Sequence, residues 1–107
     1  LLAQSSSLPT LIFDEIDTGI SGEAADLTAK MLKKMSANVQ IISISHLPQI
    51  AAKATTHYFV EKSGESETTV TQLNAEERVT AIARMLSGST LSDAAIQNAQ
   101  ALLSEEN

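Results

Sequence analysis

The sequence contains no cysteine, few aromatic residues and no long hydrophobic run. Without cysteine, disulfide bonds and thiolate chemistry are excluded, which fits a reducing cytoplasm. No apolar run approaches the roughly 18 residues that a membrane-spanning helix needs. Aromatic residues make up only 3% of the chain, so aliphatic side chains and alanine must fill its core.

Basic residues are also scarce, since 7 lysines and arginines stand against 13 acidic residues and give a formal net charge of −6. Binding to a phosphate backbone requires clustered lysine and arginine, so this chain alone is not expected to grip nucleic acid. Glycine occurs four times, and none of the four lies in a G-x-x-x-x-G-K-[ST] phosphate-binding loop. At 107 residues the chain is at most one domain.

Hydrophobic periodicity and turn residues predict an α/β fold. The strand before Asp14, the helix 22–35 and the strand 39–44 form a strand–helix–strand unit with parallel strands. A short helix over 48–53 and a hairpin of strands 55–61 and 67–73 follow, and helices over 74–86 and 92–103 end the chain. Leu27, Met31 and Met35 recur at four-residue spacing and predict the packed face of the first helix.

Two carboxylates end the first strand. Residues 11–13 form a short apolar run that fits a strand buried on both faces, and Asp14 and Glu15 follow it. Adjacent strand residues point to opposite sides, so the two carboxylates can do different work. An apolar run ending in Asp-Glu is the Walker B pattern, in which the Asp holds Mg²⁺ and the Glu acts on the attacking water. The bare pattern fits equally well a buried strand that ends in solvated acids.

His46 follows the second strand, whose end lies beside that of the first in the predicted sheet. Ligands in open α/β sheets collect at the carboxyl ends of strands. A lone histidine is more often structural than functional, but an imidazole at this position can donate a hydrogen bond to a γ-phosphate.

Longer motifs make the pattern specific. Asp-Glu-Ile-Asp-Thr-Gly-Ile-Ser-Gly at 14–22 and Ser-His-Leu-Pro-Gln at 45–49, with the stretches 57–62 and 81–88, resemble the C-terminal end of the RecN family of bacterial DNA-repair ATPases. These proteins are SMC-like relatives of ABC ATPases, and the likeness covers nearly the whole chain.

The resemblance assigns roles to six residues. It implies that Asp14 is the Mg²⁺ ligand, Glu15 the catalytic carboxylate and His46 the switch histidine near the γ-phosphate. It also places Asp17, Ser21 and Gly22 in the nucleotide-binding D-loop that faces a second head. Ser21 departs from many ABC proteins, which often have Asp there.

The resemblance further implies which piece of a larger protein this is. Residues 1–107 are expected to be a single partial domain, the C-terminal lobe of an ABC/SMC-type P-loop ATPase head, with 1–8 a remnant of an upstream helix and linker. The implied cofactors are ATP and Mg²⁺. The implied partners are the N-terminal lobe, a second head in a homodimer, and DNA through the full-length protein, which would be cytoplasmic and nucleoid-associated. The fragment alone is expected to be inactive, because it has no Walker A loop and no Leu-Ser-Gly-Gly signature.

Two other interpretations fit parts of the sequence. A phosphorylation receiver domain has an acidic pair, a hydroxyl and a lysine, here Asp14, Glu15, Ser45 and Lys62, but the phosphoacceptor Asp it needs at an intermediate strand end is missing. A non-enzymatic dimerisation or interaction module would use the aliphatic faces of the helices instead.

Overall fold

The computed structural model describes residues 9–14, 22–88 and 90–104. They fall into two compact units, one reaching Lys53 and the other beginning at Ala54. The first unit contains β1 (Thr10–Asp14), α1 (Gly22–Met35), β2 (Gln40–Ile44) and α2 (Pro48–Lys53). The second contains β3 (Tyr58–Ser63), β4 (Glu67–Gln72), α3 (Ala75–Ser87) and α4 (Asp93–Ser104). The single partial domain stays a prediction, and its segment 1–8 lies outside the described residues.

The first unit is built on a parallel pair of strands. β1 and β2 pair in register from Thr10 opposite Gln40 to Asp14 opposite Ile44. Parallel neighbours cannot be joined by a tight turn, and here the connection contains α1. The predicted strand–helix–strand unit is therefore confirmed.

The buried face of α1 differs from the prediction. Ala25, Ala29 and Leu32 are buried, whereas Leu27 and Met31 are 62% and 55% exposed. The small alanines let α1 approach its neighbours closely, and its contacts lie with α2 and the core of this unit. The Leu27, Met31, Met35 face was the wrong choice because a spacing of four residues does not say which of two apolar stripes has a partner.

Among residues 9–14 and 22–53, the sheet of the first unit is covered on one face only. Phe13 and Ile41 pack against the core formed by Ala29, Leu32 and Ile50. On the other face Ile12, Ile42 and Ile44 are 66%, 44% and 52% exposed. The prediction that the first strand is buried on both faces is therefore wrong for this chain. Within the part of this unit that the structure describes, both helices pack against the face that carries Phe13.

The second unit begins with the predicted hairpin. β3 and β4 are antiparallel, with Tyr58 opposite Gln72 and Ser63 opposite Glu67. Gly64 in the turn has φ = 71°, a conformation that glycine adopts without steric cost. Every side chain of both strands is exposed. The hairpin is confirmed, although β3 begins three residues later than its sequence suggested.

The two C-terminal helices match the sequence closely. Asn74 Oδ1 accepts a hydrogen bond from the Glu77 backbone N–H at 2.8 Å, and Glu77 Oε1 accepts one from the Asn74 N–H at 2.9 Å. This is the predicted capping box, and it explains why α3 begins where it does. The helix ends at Ser87 with Gly88 as its C-cap, and α4 packs against it. The pair buries small or aliphatic side chains: Ile82, Ala83, Ala95 and Ala99.

Candidate functional site

The candidate site lies at the edge of the sheet where β1 and β2 end. Asp14 is the last residue of β1 and is exposed. Its register partner Ile44 is the last residue of β2, so both strands end at the same level. Ser45 and His46 follow Ile44 directly. The register therefore brings the acidic end of β1 beside the loop that carries the histidine.

The loop after β2 is shaped by local interactions. Ser45 Oγ accepts a hydrogen bond from the Leu47 backbone N–H at 3.0 Å, which closes a tight turn around His46. Pro48 then begins α2, where its fixed φ suits the first helical position and its missing N–H costs nothing. Pro48 and Ile50 are buried, while the imidazole of His46 is exposed. The backbone of His46 is thus held from both sides, and its ring remains open to solvent.

Only part of the predicted site lies within the described residues. Gly22 is the first residue of α1. Glu15, Asp17 and Ser21 lie outside the described ranges, so their predicted roles stay predictions. Asp14 and His46 lie on neighbouring chain segments, as the strand order required.

Gln49 is a polar residue to which the sequence reasoning gave no role. A Cβ added to Gly22 would lie 3.7 Å from Gln49 Nε2, so this side chain lies near the start of α1. Its Oε1 is buried and has no hydrogen-bond partner within the described ranges. The available signal was a glutamine on a short helix whose other residues, Lys53 excepted, are apolar.

Magnesium fits the oxygen donor at the end of β1. Across residues 9–14, 22–88 and 90–104 the structure contains no group of three or more His, Asp or Glu side chains that could hold a metal ion. Mg²⁺ keeps several of its waters and is commonly bound by one or two carboxylates together with substrate phosphates. The exposed carboxylate of Asp14 supplies a ligand of this kind.

Solved structures define the class of fold. The chain superposes on an SMC ATPase studied for ATP-driven dimerisation and DNA-stimulated activation, with a TM-score of 0.66 at 21% identity over 79% of this chain and 52% of that one. It also superposes on the Smc head domain with a coiled coil and joint from Pyrococcus yayanosii, with a TM-score of 0.65 at 23% identity over 77% and 15% of the two chains. The fold is that of part of an SMC-type ATPase head, which confirms the predicted fold class.

Sequence relatives are more specific. The chain is 42% identical over 106 residues to DNA repair protein RecN of Haemophilus influenzae, 48% over 98 residues to that of Rickettsia conorii and 39% over 106 residues to that of Vibrio cholerae. These matches cover 96%, 89% and 96% of this chain, but 19%, 18% and 19% of the relatives. The chain is therefore RecN-like, and it corresponds to the C-terminal part of that protein.

Two further findings accompany these matches. No family model matches the chain. Among the helices that the structure describes, none is both long and apolar enough to cross a membrane.

Proposed function

We propose that this chain supplies the Walker B and switch-histidine groups of a RecN-like ATPase that acts in recombinational repair of DNA double-strand breaks. The observation that carries the proposal is the register of β1 and β2, which ends Asp14 and Ile44 at one edge of the sheet. The similarity to RecN proteins over about nine tenths of the chain supports it.

In this proposal Asp14 holds Mg²⁺, directly or through a bound water. The metal, when bound, neutralises charge on the β- and γ-phosphates of ATP. Asp14 is suited to this work because it is exposed at the carboxyl end of its strand, where ligands of open α/β sheets bind. Asp14 and the nucleotide together then provide the oxygen ligands that Mg²⁺ prefers.

Glu15 orients the attacking water, and His46 donates a hydrogen bond to the γ-phosphate. The exposed ring of His46 can turn toward a nucleotide while the turn closed by Ser45 and Leu47 holds its backbone. Asp17, Ser21 and Gly22 contribute from the D-loop at the boundary with a second head. ATP hydrolysis then opens the pair of heads.

The chain completes this site only with other parts of its protein. Its sequence has no phosphate-binding loop, so the cradle for the ATP phosphates comes from an N-terminal lobe. We propose that this lobe packs on the exposed face formed by Ile12, Ile42 and Ile44. The chain superposes on only 52% of the SMC ATPase chain described above, so that chain contains a further part of the size needed to cover such a face. DNA is contacted through the full-length protein, because the acidic charge of this segment opposes phosphate binding.

The decisive experiment replaces Glu15 by Gln in the full-length protein. We expect hydrolysis to slow by about 100-fold or more, while Mg-ATP binding is retained, because the amide cannot act on the water. Glu23→Gln is the matched control, because it makes the same substitution at an exposed position in the first turn of α1. We expect it to keep normal turnover. Near-normal hydrolysis in the Glu15 variant would refute the proposed role.

A second experiment concerns the 107-residue chain alone. Calorimetry with Mg-ATP should detect no binding in the micromolar range, because the chain provides a metal ligand without a phosphate cradle. Micromolar affinity would contradict the division of labour between the two lobes.

A non-enzymatic dimerisation module is the second candidate, favoured by the exposed isoleucine face of the sheet. An exposed apolar patch of this kind commonly marks an interaction surface. The two functions predict different effects of the N-terminal lobe on the self-association of the 107-residue chain.

A further inference from the structure

We infer that Gln49 is a positioning residue for the proposed hydrolysis, which joins the histidine loop to the start of α1 and accepts a hydrogen bond only in the assembled head. This inference rests on the proposed function. It concerns a residue that the Walker B and switch-histidine assignments do not use.

The position of Gln49 links two parts of the site. It is the second residue of α2 and follows His46 by three residues. Its Nε2 lies in van der Waals range of the Cβ position of Gly22, the first residue of α1. The side chain thus lies between α2, which follows the loop that carries His46, and the start of the helix that follows the D-loop sequence.

The burial of the amide oxygen indicates a missing donor. Gln49 Oε1 is buried, and none of the residues for which the structure gives a description donates a hydrogen bond to it. Leaving a buried acceptor unpaired costs free energy, so most such atoms have a partner. We therefore assign the donor to a group that arrives when the head closes around nucleotide.

A positioning role for Gln49 requires its acceptor Oε1, whereas a packing role requires only the length and volume of its side chain. Glutamate keeps an oxygen acceptor at the same reach as Gln49, whereas methionine keeps the length and apolar packing but has no comparable acceptor. A positioning role through Oε1 therefore separates these two variants in turnover. If Gln49 has only a packing role, the glutamate variant should be more impaired than the methionine variant, because burying the charge of glutamate is the more costly change.

The experiment uses the full-length protein with Gln49→Met and Gln49→Glu, and Gln97→Met on the exposed surface of α4 as the matched control. We expect Gln49→Met to lower kcat by about 10-fold or more with little change in KM for ATP, the size typical of residues that orient functional groups. Gln49→Glu should keep most of the turnover, and Gln97→Met should match the parent protein. The thermal unfolding midpoint of nucleotide-free Gln49→Met should equal or exceed that of the parent.

Each other result decides against the inference. Unchanged kcat in Gln49→Met overturns it. A loss of kcat accompanied by a lower unfolding midpoint shows a packing role and also overturns it, as does equal loss in the glutamate variant. The Glu15→Gln protein separates the two hypotheses: if it is inactive while Gln49→Met is normal, only this inference fails. If Glu15→Gln hydrolyses ATP normally, the proposed function itself fails.

Discussion

Asp14 and Ile44 are register partners at the ends of two parallel strands, so the last carboxylate of β1 stands beside the entry to the His46 loop. In the full-length protein we expect Asp14→Ala to lower ATP hydrolysis by about 100-fold or more, because it removes a metal ligand. The exposed position of Asp14 implies a change in stability of no more than about 0.5 kcal/mol.

Thr10→Ala is the control for this prediction, since Thr10 lies on the same face at the other end of β1. It loses one exposed hydrogen bond of 2.8 Å to Gln40 and should hydrolyse ATP normally. ATPase assays at saturating Mg²⁺ test both variants. Equal activity in the two proteins would remove Asp14 from the metal site.

The exposed isoleucine face makes a prediction about association. We expect the 107-residue chain to self-associate, and the double variant Ile42→Thr, Ile44→Thr to reduce this association, because threonine keeps β propensity while it removes apolar surface. Light scattering at several concentrations measures the effect. Addition of the N-terminal lobe should suppress self-association of the parent chain if that lobe covers the same face.

Val60→Thr is the control, because Val60 is an exposed apolar strand residue of the hairpin in the second unit. It should leave self-association unchanged. A stable dimer that persists in the double isoleucine variant would show that the face is not the contact. A dimer of the parent chain that the N-terminal lobe cannot displace would favour the dimerisation module.

Arg78 ties α3 to the segment that precedes β3. Its Nη2 donates a hydrogen bond of 2.8 Å to the backbone carbonyl of Ala54. We expect Arg78→Met to lower the free energy of unfolding by about 1–3 kcal/mol, because the carbonyl loses a charged donor. Arg84→Met removes the same charge from an exposed position of α3 and should cost less than about 0.5 kcal/mol. Chemical denaturation measures both, and equal losses would point to net charge rather than to this bond.

His57 makes the stability of the second unit depend on pH. Burial, and secondarily the positive charge of Arg78, lower the pKa of His57 below its ordinary value. Its Nδ1 is buried and has no hydrogen-bond partner among residues 9–14, 22–88 and 90–104. The folded state therefore disfavours the protonated ring that the unfolded chain acquires near pH 6.5.

The sign of the effect follows from this lowered pKa. Stability from His57 is fully present above about pH 6.5 and is lost as the pH falls through the lower pKa of the folded state. His57→Phe should flatten the decline in unfolding midpoint over that acidic window, whereas Thr56→Ala at the exposed neighbouring position should not. Thermal melts at closely spaced pH values test this. An unchanged decline in the phenylalanine variant would assign it to other groups.

Local signals predicted the element order well. The capping box of Asn74 and Glu77 is a short-range pattern with a defined hydrogen-bond geometry, and it correctly placed the start of α3. Pro48 likewise marked the start of α2. Both signals involve residues a few positions apart, so the start of each helix can be predicted from the local sequence without knowledge of the tertiary fold.

Burial was harder to predict than element type. Leu27 and Met31 satisfy helical periodicity as well as Ala25 and Ala29 do, but in the part of the unit that the structure describes only the alanines of these four are buried. Ile12 likewise belongs to an apolar strand yet has an exposed side chain. Which face is covered depends on elements distant in the chain or in another part of the protein, and periodicity carries no information about them. Gln49 was missed for the same reason, since its proximity to Gly22 arises from the tertiary fold.

The parallel pairing of Thr10 with Gln40 has a consequence for synthesis on the ribosome. The two residues are 30 positions apart, so β1 leaves the exit tunnel about 30 residues before its pairing strand emerges. At about 5–20 residues per second, this leaves the nascent strand alone for a few seconds, while the hairpin of β3 and β4 can close as soon as its short turn emerges. Co-translational chaperones that shield Phe13, which packs against the core only once the later elements have formed, would therefore matter more for the yield of the first unit than for that of the second.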